Sequence, residues 1–453
     1  MPITEFTTTL PVAPAVAFSW HARHGALRRL LPPWQTVRVV SEQPAPGADS
    51  IVANGGRVEL SVPAGPFHRR WVARHLDCQP GESFTDVMEH GPLARWVHQH
   101  RFTAAPQGCT LTDRLDYDLG FPAGLLAGTV RSDLTRVFAF RHARTRNDLA
   151  RHADFPATSL KIVVTGASGL VGSALVPFLT TGGHQVRTIG RGNADIRWDP
   201  ALGLLDATPL EGTDAVIHLA GESVAQRWSD AAKKRIRDSR VQSTALIART
   251  VAAMKNPPRI LIVASGIGAC GTHDDDGERD ENAPFGNDFL ADVCREWEAA
   301  ADPARAAGIR VVHVRIGMVL SAAGGALTKM LPAFRFGAGG PIGSGRQWQS
   351  WIQLDDLIGV LQRALLDDRL SGAVNAVAPQ TLRQRDFADI IGCVLHRPSF
   401  VPLPNSAVSL LFGEMGRSLL LGGIRAKPAK LTELGHRWSF PDLEAALRFE
   451  LGR

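Results

Sequence analysis

The segment KIVVTGASGLVGSALVPFL, residues 161–179, limits the possible folds more than any other stretch of this chain. Its apolar run Ile162–Val164 reads as a strand buried on both faces, and it gives way at once to Gly166, Gly169 and Gly172. An amphipathic run follows, so strand, glycine-studded turn and helix come in that order. Further β-branched runs, QVRTIGR, DAVIHLAG, RILIVASG and IRVVHVRIG, recur downstream with helical patterns between them. This alternation predicts a parallel sheet with helices on both faces.

The spacing G-x-x-G-x-x-G has a physical logic. Gly166 permits a tight turn, Gly169 lets a pyrophosphate approach the backbone, and Gly172 lets helix and strand pack closely. A helix N-terminus offers unbonded N–H groups and partial positive charge to phosphates. Ser168 adds a hydroxyl, and Leu170 and Val171 lie in the same first turn. The end of the next strand, RTIGRGNAD, puts Arg191 19 residues after Gly172, with no carboxylate until Asp195. A guanidinium there suits a 2′-phosphate, so NADP(H) is the expected coenzyme. In DAVIHLAGE, Leu219, Ala220 and Gly221 can run backbone beneath the coenzyme, and Glu222 falls at the strand's carboxyl end, where open α/β sheets place ligands. His218, inside an apolar strand, reads as a core histidine.

Residues 1–152 have a different pattern. A strand-like ITEFTTTL and a helical run stopped by Pro32-Pro33 precede several segments of period two, and a long helical stretch over residues 124–152 closes the region. This order resembles the α+β helix-grip fold of the START/polyketide-cyclase (SRPBCC) superfamily. The resemblance implies an apolar cavity for a hydrophobic ligand, and Trp20, Trp34, Phe67, Trp71, Phe84, Trp96 and Phe102 either line it or simply fill core. Nine of the 15 histidines fall here, and His98 and His100 share a strand face, as His21 and His24 share a helix face. No third ligand at fixed spacing accompanies them, so solvated or capping histidines are expected and no metal. Residues 153–159 read as a linker, and 160–453 form the second domain, with a smaller lobe from about residue 320.

The net charge of +6 is spread through interspersed arginines and acids, which argues against nucleic acid as a partner. The acidic run at 273–281 reads as a solvated loop. Five dispersed cysteines without a C-x-x-C pair point to reduced thiols and a cytoplasmic location. No apolar run reaches membrane-spanning length, and residues 407–424, broken by Glu414 and Arg417, read as an amphipathic helix.

Several strings together, VTGASGLVGSAL, WDP, HLAGE, SRVQST, CREWEAAA, GGPIGSGRQWQSW and GGIRAKPAKL, resemble the atypical extended short-chain dehydrogenase/reductases of the epimerase family, subfamily 39U. The resemblance spans residues 160–450. It implies an extended Rossmann fold, NADP(H) binding and a small C-terminal lobe, but no particular substrate. Arg240 and Arg315 recur in that pattern and can bind coenzyme phosphate or substrate, or hold loop carbonyls. Arg346, Trp348 and Trp351 fall where extended members shape a substrate pocket, or in core between lobes.

In that superfamily a Tyr-x-x-x-Lys pair on one helix face handles the proton while hydride moves. Here the helical stretch DFLADVCREWEAA carries Phe289 and Val293 at those places, and the single tyrosine of the chain, Tyr117, lies in the first domain. Three readings stand. Another group supplies the proton, with Ser265 and Glu222 the named candidates beside Asp292, Cys270 or water. Alternatively, the chain binds NADP(H) without turnover, as a sensor or ligand-binding protein. In the third reading, Tyr117 or a histidine of the first domain reaches the site. The favoured expectation is an oxidoreductase or epimerase-like enzyme acting on a small molecule, as monomer or homodimer.

Overall fold

Alternating apolar residues at the N-terminus give way to strand–helix repeats, and the computed structural model follows this change. It describes residues 3–65, 67–120, 124, 127–156, 158–273 and 275–453. One unit centres on Met1–Thr158, the other on Ser159–Val176 and Gln185–Leu451.

The first unit runs β1 (Ile3–Leu10), α1 (Pro14–Ala22), α2 (Ala26–Leu30), β2 (Arg38–Gln43), β3 (Arg57–Ala64), β4 (Phe67–Gln79), β5 (Ser83–His90), β6 (Arg95–Ala105), β7 (Gly108–Asp118) and α3 (Ala127–Asp154). Its seven strands pair antiparallel in the order β1-β7-β6-β5-β4-β3-β2. The long helix packs on the sheet through Phe138, whose ring stacks on Phe6 of β1 at 4.5 Å and meets His98 of β6 edge-on at 5.3 Å. This is the helix-grip arrangement. Helix α3 extends to Asp154, into the expected linker, because its last turns bury Leu149 and Arg151. Residues 125 and 126 of the expected helix and residue 157 of the linker lie outside the described residues.

The aromatic residues do not converge on one space. Trp20, Phe84 and Phe102 fill a common core, Trp71 and Trp96 pack on each other at 5.4 Å, Trp34 packs on Phe140, and Phe67 is 73% exposed. Tyr117 is buried among Leu115, Leu119 and Phe138 in this unit's own core. The histidines depart from expectation. His21, His98 and His100 are buried, while His24 is exposed. Alternation marks a shared face but not what neighbouring strands set against it, and here those strands bring Asp86 and Asp113.

The second unit begins β8 (Lys161–Thr165), α4 (Leu170–Thr181), β9 (Gln185–Gly190), β10 (Ile196–Asp199), β11 (Leu204–Leu205), β12 (Ala215–His218), α5 (Asp230–Ala252), β13 (Ile260–Gly266), α6 (Phe289–Ala299), α7 (Asp302–Ala306) and β14 (Arg310–Ile316). It continues through β15 (Met318–Ser321), α8 (Gly325–Arg335), β16 (Trp348–Gln349), β17 (Trp351–Gln353), α9 (Leu354–Leu366) and β18 (Gly372–Ala376). Beyond lie β19 (Leu382–Arg383), α10 (Gln384–Leu395), α11 (Asn405–Gly416), α12 (Ala429–Glu433) and α13 (Leu443–Leu451). The main sheet has the order β11-β10-β9-β8-β12-β13-β14-β18, and every pairing except β10–β11 is parallel. Chain order therefore reverses between β8 and β12, which opens a crevice at their carboxyl ends.

The C-terminal lobe packs Leu327, Phe334, Trp351, Phe387 and Leu447 into a core of its own. Residues 407–424 form the end of α11, a break at Gly413 with φ +62°, and one wider turn. Among the described residues no helix is long and apolar enough to cross a membrane.

Candidate functional site

The crevice is built by a glycine turn fitting against a neighbouring strand exit. Gly166 has φ +68°, and a Cβ there would lie 2.8 Å from the Ala220 nitrogen and the Leu219 carbonyl carbon. No side chain fits between the turn after β8 and the exit of β12. A Cβ on Gly172 would sit 2.3 Å from the Gly166 oxygen, so α4 starts hard against the strand end. Gly169 differs. Only the Gly166 oxygen, at 3.3 Å, is near its Cβ position, and Ser168 and Gly169 are exposed. The turn is closed toward the sheet and open toward the crevice, with the first amides of α4, at Leu170 and Val171, beside the opening.

A buried hydrogen-bond chain fixes the exit of β12. The Thr165 hydroxyl meets His218 Nδ1 at 2.7 Å and accepts the Leu219 and Ala220 amides at 3.1 and 3.2 Å. His218 Nε2 lies 3.0 Å from the Ser243 hydroxyl. Burial, with Arg240 nearby, pushes the His218 pKa down to about 3. His218 is thus a satisfied core histidine.

Glu222, half-buried just beyond, receives Gln226 Nε2 at Oε1, and its amide donates to Ser239. The Arg240 guanidinium lies under Gly221, 3.3 Å from where a Cβ would stand, over the Trp297 ring at 5.0 Å. Arg191 is exposed directly after β9. Asp195, the nearest carboxylate, is turned back onto the Thr188 amide and hydroxyl at 2.7 and 2.8 Å.

Ser265 and Arg315 are direct cross-strand partners, and Asn375 is the next in line. Ser265 donates to Glu298 Oε1 at 2.8 Å, and Arg315 binds both Glu298 oxygens at 2.8 and 2.9 Å. Arg315 also reaches the Glu281 carbonyl, and Glu281, buried, accepts the Asn375 amide at 3.0 Å. The acidic loop is therefore anchored at Glu281, with Asp274 outside the described residues. Glu298, Glu281 and Thr165 were not among the expected site residues. An acid on a half-buried helix face was the available signal for Glu298, but its partners come from two distant strands.

The remaining candidates are accounted for locally. Asp292 pairs with Arg295 at 2.5 Å on the exposed face of α6. Burial pushes the Cys270 thiol up, and it pushes Cys294 up to about 11, so neither is a ready thiolate. Phe289 packs on Trp228 at 5.0 Å and Val293 is buried. Trp351 is core, whereas the Trp348 ring has the Arg383 and Arg425 guanidiniums over it at 3.8 and 4.6 Å, and Arg346 is exposed. A cleft of about 490 Å³ lined by Cys270, His273, Arg279, Asn282 and Phe285 adjoins the Ser265–Glu298–Arg315 group, since Arg315 lies over Phe285.

A reversing parallel sheet with a glycine turn seated on the neighbouring strand exit defines a Rossmann protein of the extended short-chain dehydrogenase class. Residues 162–376 match the NAD dependent epimerase/dehydratase family, residues 10–139 match the polyketide cyclase / dehydrase and lipid transport family, and residues 403–450 match a domain of unknown function, DUF1731. Human epimerase family protein SDR39U1 is 37% identical over 297 residues, covering 64% of this chain and 99% of that protein. The chloroplastic homolog from Arabidopsis thaliana is 35% identical over 68% of this chain and 92% of its own. The chain belongs to the SDR39U1 epimerase family. Among solved structures, a nucleoside-diphosphate sugar epimerase from Corynebacterium glutamicum is 33% identical, with a TM-score of 0.81 over 100% of this chain and 90% of its own. Human SDR39U1 with NADPH is 35% identical, with a TM-score of 0.59 over 64% of this chain and 98% of its own.

Proposed function

We propose that the second unit is an NADP(H)-dependent oxidoreductase or epimerase-like enzyme for a small hydroxyl- or carbonyl-bearing molecule, working without the Tyr-x-x-x-Lys pair. The observation that carries this reading is the seat of Gly166 against Leu219–Ala220 with Gly169 left open, a cradle shaped for a dinucleotide diphosphate. Ser168 and the Leu170, Val171 and Gly172 amides bind the diphosphate. Leu219–Gly221, backed by Arg240, support its underside, and Arg191 takes the 2′-phosphate, in keeping with the NADPH of the human relative. When bound, the reduced nicotinamide supplies a hydride. Ser265, its proton committed to Glu298, orients the substrate by accepting a hydrogen bond from a substrate hydroxyl beside the reacting carbonyl. Glu222, half-buried at the strand end and open to solvent exchange, moves the proton at its carboxylate.

A second reading, coenzyme binding without turnover, is favoured by that same commitment of the Ser265 proton to Glu298, whose carboxylate Arg315 holds in place. All five cysteines are free, which supports a reducing, cytoplasmic setting. For the first unit, the family match supports a hydrophobic small-molecule ligand.

The deciding experiment follows reduced-nicotinamide absorbance in single turnovers across carbonyl compounds and nucleotide sugars, the latter because of the Corynebacterium relative's description. Oxidation that slows about 10²–10⁴-fold in Glu222→Gln supports the enzyme. Tight NADPH binding with no oxidation across the panel supports the second reading, and failure to bind either coenzyme overturns both.

A further inference from the structure

The first unit contains a buried cluster that the coenzyme site does not use. Strands β4, β5 and β6 set His75, Asp86 and His98 in one cross-strand row, Asp86 being the direct partner of both histidines. Two residues along β6, His100 is the partner of Asp113 on β7. His98 and His100 point to the same face, and both are buried. We propose that Asp86, His98 and His100 hold a divalent transition-metal ion of the zinc class.

One donor atom from each residue lies within 4.8 Å of the other two. His100 Nε2 stands 3.2 Å from Asp86 Oδ2, hydrogen-bonded to it while no ion intervenes, and His98 Nδ1 stands 3.7 Å from the same oxygen. Donors about 2.1 Å from a tetrahedral ion lie about 3.4 Å apart, so this spacing suits a shared ion. Imidazole and carboxylate without thiolate fit Zn²⁺ and its first-row neighbours, and three protein ligands leave a position for water.

The outer nitrogens are also accounted for. Asp113 Oδ1 lies 2.9 Å from His98 Nε2, in hydrogen-bond geometry, and 2.7 Å from His100 Nδ1. Its Oδ2 is held by His142 Nε2 at 2.6 Å. A carboxylate behind the ligating imidazoles fixes their ring orientation and turns the inner nitrogens toward Asp86. A separate observation points the same way. His75 is 5% exposed, its Nδ1 lies 2.6 Å from Asp86 Oδ1, and yet neither its ring nitrogens nor that oxygen make a hydrogen bond of proper geometry. Buried polar atoms packed together without such bonds are costly unless a further group satisfies the site. The competing arrangement is an ion-free network in which a His100 imidazolium and Arg141 balance the two carboxylates.

The test uses the untagged full-length chain, analysed for metal as purified and then titrated with Zn²⁺ and with Co²⁺ as a visible-absorbing probe. Expected are about one Zn²⁺ per chain, ligand-field bands with Co²⁺, and a rise of about 5 °C in a melting transition at saturating Zn²⁺, reversed by chelator. Asp86→Asn and His100→Gln lose the bands, whereas Asp113→Asn weakens affinity about 10–100-fold. Wild-type chain that binds neither ion and melts unchanged with Zn²⁺ overturns the proposal in favour of the ion-paired network, as does binding that survives in His100→Gln. Where the variants fail to fold, the wild-type Co²⁺ spectrum and Zn²⁺-dependent melting decide.

Discussion

Thr165 Oγ1 lies 2.7 Å from His218 Nδ1, and this bond ties together the ends of the two strands between which the sheet reverses. The direction of each bond follows from one proton count. Ser243 donates its hydroxyl proton to the Ser239 carbonyl at 2.6 Å, so His218 Nε2 carries the ring proton and donates to Ser243. Nδ1 then accepts from Thr165, whose lone pairs are free for the Leu219 and Ala220 amides. Thr165→Val removes the acceptor from both amides and the donor from His218, which costs about 2 kcal/mol. Thr165→Ser restores the chain and stays near wild type. Urea unfolding of the two variants checks this. A loss in Thr165→Ser with none in Thr165→Val would mean that packing of the threonine methyl, and not the hydroxyl, matters.

The same histidine makes stability depend on pH. Its pKa falls from 6.5 unfolded to about 3 folded, through burial first and Arg240 second. The unfolded chain therefore takes a proton that the folded chain refuses. The contribution is whole above pH 6.5 and is lost as pH falls from there toward about 3, at up to about 1.4 kcal/mol per pH unit. His313, lowered to about 4 chiefly by burial, acts in the same direction. Urea midpoints measured across this window are expected to fall less steeply in His218→Gln than in wild type, and parallel profiles would refute the assignment.

The glycine turn separates into a folding role and a binding role. Gly172→Ala forces a Cβ to 2.3 Å from the Gly166 oxygen, so the start of α4 must shift, and a loss of about 2 kcal/mol or more is expected. Gly169→Ala meets one oxygen at 3.3 Å and otherwise open space, so stability changes by about 0.5 kcal/mol or less. Its methyl occupies the place where the proposed site brings the diphosphate, and NADPH affinity is expected to fall about tenfold or more. Calorimetric titration beside urea unfolding separates the two effects. The idea fails if Gly169→Ala binds NADPH normally.

The geometry of this turn was legible in the sequence because it depends on residues close together in the chain, with β8, the turn and α4 contiguous. The parallel sheet was legible for a similar reason, since runs such as Ile260–Ala264 are buried on both faces and carry no polar alternation. What could not be read were partnerships made by register. Ser265, Arg315 and Asn375 become neighbours only when β13, β14 and β18 align, and Glu298 reaches them from a helix. His98 and His100 announced a shared face, but their burial depends on Asp86 and Asp113 from flanking strands. For the aromatics of the first unit, composition left cavity lining and core filling open, and where rings pack on one another, as between Trp71 and Trp96, the structure takes the second.

The proposed coenzyme preference rests on the end of β9. Arg191 is exposed there, while Asp195, the carboxylate that would otherwise hold ribose hydroxyls, is spent on Thr188. Arg191→Asp removes a phosphate partner and adds a like charge. The ratio of NADPH to NADH affinity is expected to fall by about tenfold or more, with stability unchanged because the side chain is on the surface. Dissociation constants for both coenzymes measure it, and an unmoved ratio would place 2′-phosphate recognition elsewhere.

Glu298 ties Ser265 to Arg315, and the energetics of that link can be taken apart by a double-mutant cycle. Arg315 and Glu298 are 5% and 11% exposed, so Glu298→Gln strands a buried guanidinium, at a cost of about 3–5 kcal/mol. Arg315→Met alone is also destabilising, because it strands the carboxylate, but adding it to Glu298→Gln recovers part of the loss. The two changes are therefore strongly non-additive. Ser265→Ala leaves the ion pair intact and costs only its single hydrogen bond, about 1 kcal/mol. If Ser265 orients substrate, kcat in Ser265→Ala falls far more than stability does, by about tenfold or more, with NADPH affinity unchanged. A variant that keeps full turnover would assign Ser265 to the structural network alone, and additive losses at Glu298 and Arg315 would show that their pairing contributes nothing beyond packing.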